Sequence, residues 1–198
     1  MKFLFFTLLV FIFGCNQLHH KKEIKTVVEI EEPSLTIIAK PKIPEGALKA
    51  DFLGNSDSLY AYIKNIDTTN EVTHIGFEEK KLPEIAIPES IGAELKILKL
   101  KNFQNDVLLV NAKLKDTNFN EYYLFVYNNS NWKQPVNRFA IHKSNMADSL
   151  IPITNNPKDS TQLVRYYSVF NMDRKSEKKF TWKLMQESIP ITDKELEH

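Results

Sequence analysis

The chain has 198 residues, 26 basic and 25 acidic side chains, and a single cysteine. A near-neutral balance argues against a nucleic-acid partner, since such binders carry a basic excess. One cysteine excludes an internal disulfide, so the hydrophobic core must stabilise the fold alone.

The chain opens with Met1-Lys2 and an apolar run from Phe3 to Phe13 broken only by Thr7. A run of roughly ten residues suits the core of a signal peptide, and it falls short of the about twenty that a spanning helix needs. The run ends in Ile12-Phe13-Gly14-Cys15. This resembles the lipobox of bacterial lipoproteins: an aliphatic residue, a tolerant position, a small residue, then cysteine. Phe13 is bulkier than that pattern usually has. The resemblance implies cleavage before Cys15 and acylation of it by diacylglycerol and palmitate-type chains, a membrane anchor without a spanning helix. It also accounts for an unpaired cysteine in an exported protein. Two or more acyl chains hold a protein stably where one does not.

On this reading residues 1–14 are a signal peptide, 15–33 a tether, 34–190 a single β-rich domain and 191–198 a C-terminal tail. Loss of Lys2 with the leader leaves 25 basic against 25 acidic residues. The tether is polar, and His19-His20-Lys21-Lys22 reads as solvated linker. Asn16 after the cysteine, with no acidic cluster following, resembles lipoproteins of the outer membrane that face the periplasm.

From Ser34 onward the pattern is β: alternating or continuous apolar runs rich in Ile, Val, Tyr and Phe, separated by Asn, Asp, Ser, Gly and Pro. Strands are expected near Leu35–Ala39, Leu48–Leu53, Ser58–Asn65, Val72–Glu78, Glu84–Ile87, Leu95–Lys101, Val107–Leu114, Glu121–Asn128, Asn137–His142, Gln162–Asn171 and Lys179–Gln186. Short turns at Gly54–Asp57 and Asn128–Asn131, and a charged one at Asn171–Lys178, predict hairpins and therefore an antiparallel, all-β fold. Either propeller-like blades or a β-sandwich would satisfy this pattern.

A weak repeat relates Asp51-Phe52-Leu53-Gly54 to Asn102-Phe103-Gln104-Asn105; with two residues deleted, Leu59 then meets Leu108. The spacing of roughly fifty residues is in the range of propeller blades. Residues 45–145 thus resemble short Bacteroidota lipoproteins with degenerate FG-GAP-like hairpins. The turn of that family often holds calcium. Here Leu53 and Asn55 stand where acidic ligands would, and calcium takes six to eight oxygens, so no metal is expected.

No catalytic constellation is visible. His74 and His142 sit in strand patterns with no second histidine at metal-ligand spacing, and neither a G-x-S-x-G elbow nor a phosphate-cradling glycine loop occurs. No cofactor is implied. A pair of carboxylates meeting only in the fold would be the signature of a hydrolase. The densest aromatic stretch is Tyr122–Tyr127, where alternation puts Tyr123, Phe125 and Tyr127 on one face and Tyr122, Leu124 and Val126 on the other. Two readings stand: a central strand buried on both sides, or an aromatic platform of Tyr123, Phe125, Tyr127 and Trp132 for a glycan or protein, with Tyr166-Tyr167 and Trp182 contributing. Phe180, Trp182 and Leu184 share a face that reads first as core. The expected function is a non-catalytic, lipid-anchored accessory protein of the cell envelope; the alternatives are an envelope immunity or inhibitor protein and a carboxylate-dependent hydrolase.

Overall fold

The computed structural model describes residues 42–172, 177, 180–192 and 194–195. Cys15, the tether and the strand expected at Leu35–Ala39 lie outside these. Among the described residues the only helical turns are two single 3-10 turns, Glu78–Lys80 and Lys143–Asn145, and no helix is long and apolar enough to cross a membrane.

The fold is all-β and antiparallel, in three sheets. The first is a meander of β1 (Leu48–Ala50), β2 (Leu59–Asp67), β3 (Val72–Phe77) and β4 (Ile85–Ile87). The second runs β5 (Ala93–Leu98), β6 (Val107–Lys113) and β7 (Phe119–Asn128); the far edge of β7 is shared by β8 (Asn131–Gln134), which pairs with Val126–Asn128, and β9 (Phe139–His142), which pairs with Phe119–Tyr122. The third holds β10 (Ile153–Asn155), β11 (Gln162–Asn171) and β12 (Thr181–Pro190). The chain then returns to the middle sheet, where β13 (Lys194–Glu195) pairs with β8. Strand pairing therefore continues into the segment read from sequence as a tail. The β7–β8 turn forms as expected, with Asn129 and Ser130 at φ 51° and 67°. Two successive positive φ values mark the turn whose twist matches that of the strands, and asparagine tolerates them.

The sheets stack as three layers, and the middle one is buried on both faces. Leu108, Val110, Ala112, Tyr123 and Phe125 pack against Phe52, Ala61, Ile75 and Phe77 of the first sheet. Val107, Leu109, Tyr122, Leu124 and Val126 pack with Ile153, Leu163 and Ile189 of the third. Nearly continuous apolar runs in β6 and β7 are what a strand covered on both sides requires. Each such side chain contributes about 1.5–3 kcal/mol on burial.

The loop between first and second strands recurs in all three sheets and stitches them together. The Asp51 N–H donates to Asp106 Oδ2 at 2.9 Å, and the Asp106 N–H to the Asp51 carbonyl at 2.8 Å. Asn105 Nδ2 donates to the carbonyls of Phe52 at 2.8 Å and Tyr127 at 2.7 Å. The Lys101 N–H donates to Asn155 Oδ1 at 2.8 Å, repeating the first contact one sheet further on. The period of the sequence thus has a structural counterpart, but its register differs from the expected one. Leu59 and Leu108 occupy the same core layer from facing sheets. One residue of slip reverses a strand's faces, so Val107 and Leu109, which point toward the third sheet, hold the place of Leu59.

Candidate functional site: an aromatic ribbon

Of the two readings of Tyr122–Tyr127, the central strand buried on both sides is the one the structure has, and the residues of the alternative aromatic platform are core. Tyr123, Phe125 and Trp132 are 4%, 1% and 2% exposed. Tyr123 and Phe125 lie parallel, 6.2 Å apart, against the first sheet. Trp132 stacks on Phe77 at 4.8 Å, meets Phe52 edge-on at 5.5 Å, and donates its indole N–H to the Pro83 carbonyl at 2.9 Å. Tyr127 is half-buried, edge-on to Trp132 at 5.2 Å. A ligand cannot reach a face already covered by another sheet. Apolar residues on both faces of the strand are the sequence signal for this double cover.

Exposed aromatic surface forms instead on the third sheet. Pairing of β10 with β11 stops at Arg165, whereas β11 and β12 pair through Asn171 and Thr181. The distal half of the hairpin is therefore a two-stranded ribbon. On it Phe170 and Phe180 stack at 5.6 Å and are 53% and 55% exposed. Phe170 is the cross-strand partner of Trp182 and meets it at 5.3 Å. Trp182 lies against His142 and Phe119, themselves a cross-strand pair of β9 and β7. Five rings thus run from the body of the fold to the ribbon's end, where Met172 is also exposed. Phe180 and Trp182 share a face, as the alternation predicts, but near the tip nothing among the described residues covers it. Tyr166 and Tyr167 are half-buried nearer the base, and the Arg165 guanidinium lies over the Tyr167 ring at 5.4 Å.

Several polar clusters are satisfied within the fold. The Asp51 carboxylate accepts the N–H groups of Gly54, Asn55 and Ser56, closing the loop that departs from the calcium pattern at Leu53 and Asn55. Among the described residues no group of three or more His, Cys, Asp or Glu could hold a metal ion. The His142 N–H donates to Ser168 Oγ at 2.8 Å, and its Nδ1 lies 2.8 Å from Ser144 Oγ at the start of a 3-10 turn. Glu89 and Glu121 converge on one guanidinium, Arg138, at 3.0 and 3.4 Å. Arg138 Nη1 also donates to the Tyr123 hydroxyl at 3.2 Å, and that hydroxyl donates to Glu121 at 3.0 Å. Burial pushes the Tyr123 phenol up to about 12, against the opposing pull of Arg138.

No protein-family model, curated protein or solved structure matches the chain.

Proposed function

We propose that this is a lipid-anchored protein of the bacterial cell envelope, held through an acylated Cys15 at the periplasmic face of the outer membrane. It binds a protein partner and is not itself a catalyst. The observation that carries the binding role is the stacked, half-exposed pair Phe170 and Phe180 at the end of a projecting ribbon. Large apolar side chains held rigid at an exposed position are the usual anchors of protein interfaces. Phenylalanine and methionine lack the polar tips of tyrosine and tryptophan, which favours a protein over a glycan. The connecting sequence adds Arg174, Lys175, Lys178 and Lys179 against Asp173 and Glu177. A partner with an apolar cleft and an acidic rim would complement both features.

A two-stranded ribbon is convex, and a convex probe suits a concave partner. This supports the inhibitor alternative, in which the partner is an envelope hydrolase or toxin whose cleft receives the ribbon. The anchor itself rests on Ile12-Phe13-Gly14-Cys15. Cys15→Ala should abolish metabolic labelling with a palmitate analogue, and labelling unchanged by that substitution removes the anchor from the reading. Chemical crosslinking of the tagged chain in envelope membranes should capture one stoichiometric protein. Phe170→Ser with Phe180→Ser should abolish its capture, and a partner retained by the double variant sinks the ribbon as the binding surface.

A further inference from the structure

The ribbon has a second surface besides its aromatic face, namely its edge. In the first two sheets the third strand is paired on both sides: β3 by β2 and β4, and β7 by β6 and by β8 with β9. In the third sheet the equivalent strand, β12, is paired with β11 alone. Among the described residues this leaves ten consecutive residues, Thr181–Pro190, with an unpaired outer edge and no bulge. The other edge strands are short: β1, β4 and β10 have three residues each and β5 six. Long, flat edges are templates for pairing with another chain.

The ladder fixes which groups face outward. The Ile191 N–H donates to the Thr161 carbonyl, opposite it across β11 and β12. Antiparallel pairing alternates, so odd-numbered residues of β12 bond inward. Trp182, Leu184, Gln186 and Ser188 then turn their N–H and C=O groups out. Pro190, which has no N–H to offer, falls on the outward set at the strand's end, where an edge tolerates it.

We propose that β12 pairs antiparallel with β12 of a second copy, about a two-fold axis at Met185. Charge complementarity selects this occupant and this register. Centred on Met185, Leu184 exchanges hydrogen bonds with Gln186 of the other copy, and Trp182 with Ser188. Lys183 then stands opposite Glu187 of the other copy, twice over by symmetry, and both lie on the face that Met185 shares. Opposite charges across a strand pair stabilise it, and like charges oppose it. Glu187 already meets Arg165 at 3.0 Å within its own sheet; the second copy would extend that pair to a third charge. Shifting the axis one residue either way loses the Lys183–Glu187 match. The same register sets exposed Phe180 opposite Pro190 of the other copy. Six strands would form one continuous sheet, carrying both aromatic ladders on one side. This goes beyond partner binding and is tested separately from it.

Met185 facing itself would be a non-hydrogen-bonded pair, with Cα atoms about 4.5 Å apart, within disulfide reach. The test uses the full chain in detergent with Cys15→Ser, so that an introduced thiol is the sole one. Met185→Cys should give a disulfide-linked dimer under mild oxidation, and Lys96→Cys on the exposed face of β5 should not. In sedimentation, Lys183→Glu should weaken the dimer roughly tenfold through two like-charge contacts. Lys183→Glu combined with Glu187→Lys and Arg165→Glu, which keeps the ion pair within each sheet, should restore it, which a merely misfolded variant would not show. A chain that stays monomeric at about 100 µM, where a dimer with a Kd of about 10 µM or tighter would be the main species, overturns the proposal. So does crosslinking at residue 96 as strong as at 185.

Discussion

The Trp182 indole lies parallel to the His142 imidazole, with ring centroids 5.1 Å and planes 15° apart, and meets Phe119 edge-on at 4.9 Å. This contact joins the ribbon to the middle sheet. Among the described residues beyond it, Phe170, Met172 and Phe180 are exposed. Trp182→Ala removes the joint but leaves the two stacked cores intact. The ribbon should then open more readily, so that proteolysis near Met172 and Phe180 accelerates several-fold while global stability falls by about 1–2 kcal/mol. Unchanged proteolysis would show that the ring contact does not hold the ribbon.

Position within the stack sets the cost of losing an aromatic ring. Phe125→Ala, at a site 1% exposed, should destabilise the fold by about 3–5 kcal/mol. Phe170→Ser, on the half-exposed ribbon, should cost no more than about 1 kcal/mol. Urea denaturation of both variants measures the contrast. Equal losses would mean that the ribbon is packed into the fold.

Asn105 holds two layers together through one amide group, which serves the carbonyls of Phe52 and Tyr127. Asn105→Ala leaves both without their donor, at a cost of about 2–3 kcal/mol. Asn105→Asp keeps the shape but offers no N–H, and should cost at least as much. A loss below about 0.5 kcal/mol for either variant would mean that water replaces the amide.

Tyr123 gives the fold an alkaline limit. Its folded-state pKa is raised to about 12, above the ordinary value near 10. A raised value means that folding favours the neutral phenol. That stability is complete below about pH 10 and is lost as pH climbs toward about 12, by about 3 kcal/mol in all. Tyr123→Phe, which cannot ionise, should flatten the decline between those limits. Matching slopes for the two proteins would show that Tyr123 titrates normally.

Much of the fold was legible in the sequence, and the reasons are local. Long alternating runs marked β2, β6, β7 and β11 to within a few residues, and Asn128–Asn131 marked its turn. β8 and β10 leave no such mark, because four and three residues are too few for a period to show. The site was harder to see. Tyr123, Phe125 and Trp132 carry the same chemistry as Phe170, Phe180 and Trp182. Alternation says which residues share a face, but not whether another sheet covers that face. What separates the two groups is that the first sheet packs over Tyr123, Phe125 and Trp132, while nothing among the described residues covers Phe170 and Phe180, and no sequence period encodes that.

The most direct measurement of the central claim places a photo-crosslinking phenylalanine analogue at Phe170 of the tagged chain in living cells, with Tyr60 on the first sheet as the comparison site. Irradiation should join residue 170 to one envelope protein, as a single band that the residue 60 chain does not give. A residue 170 chain that yields no such band, while residue 60 does, would contradict the ribbon as the surface that meets the partner.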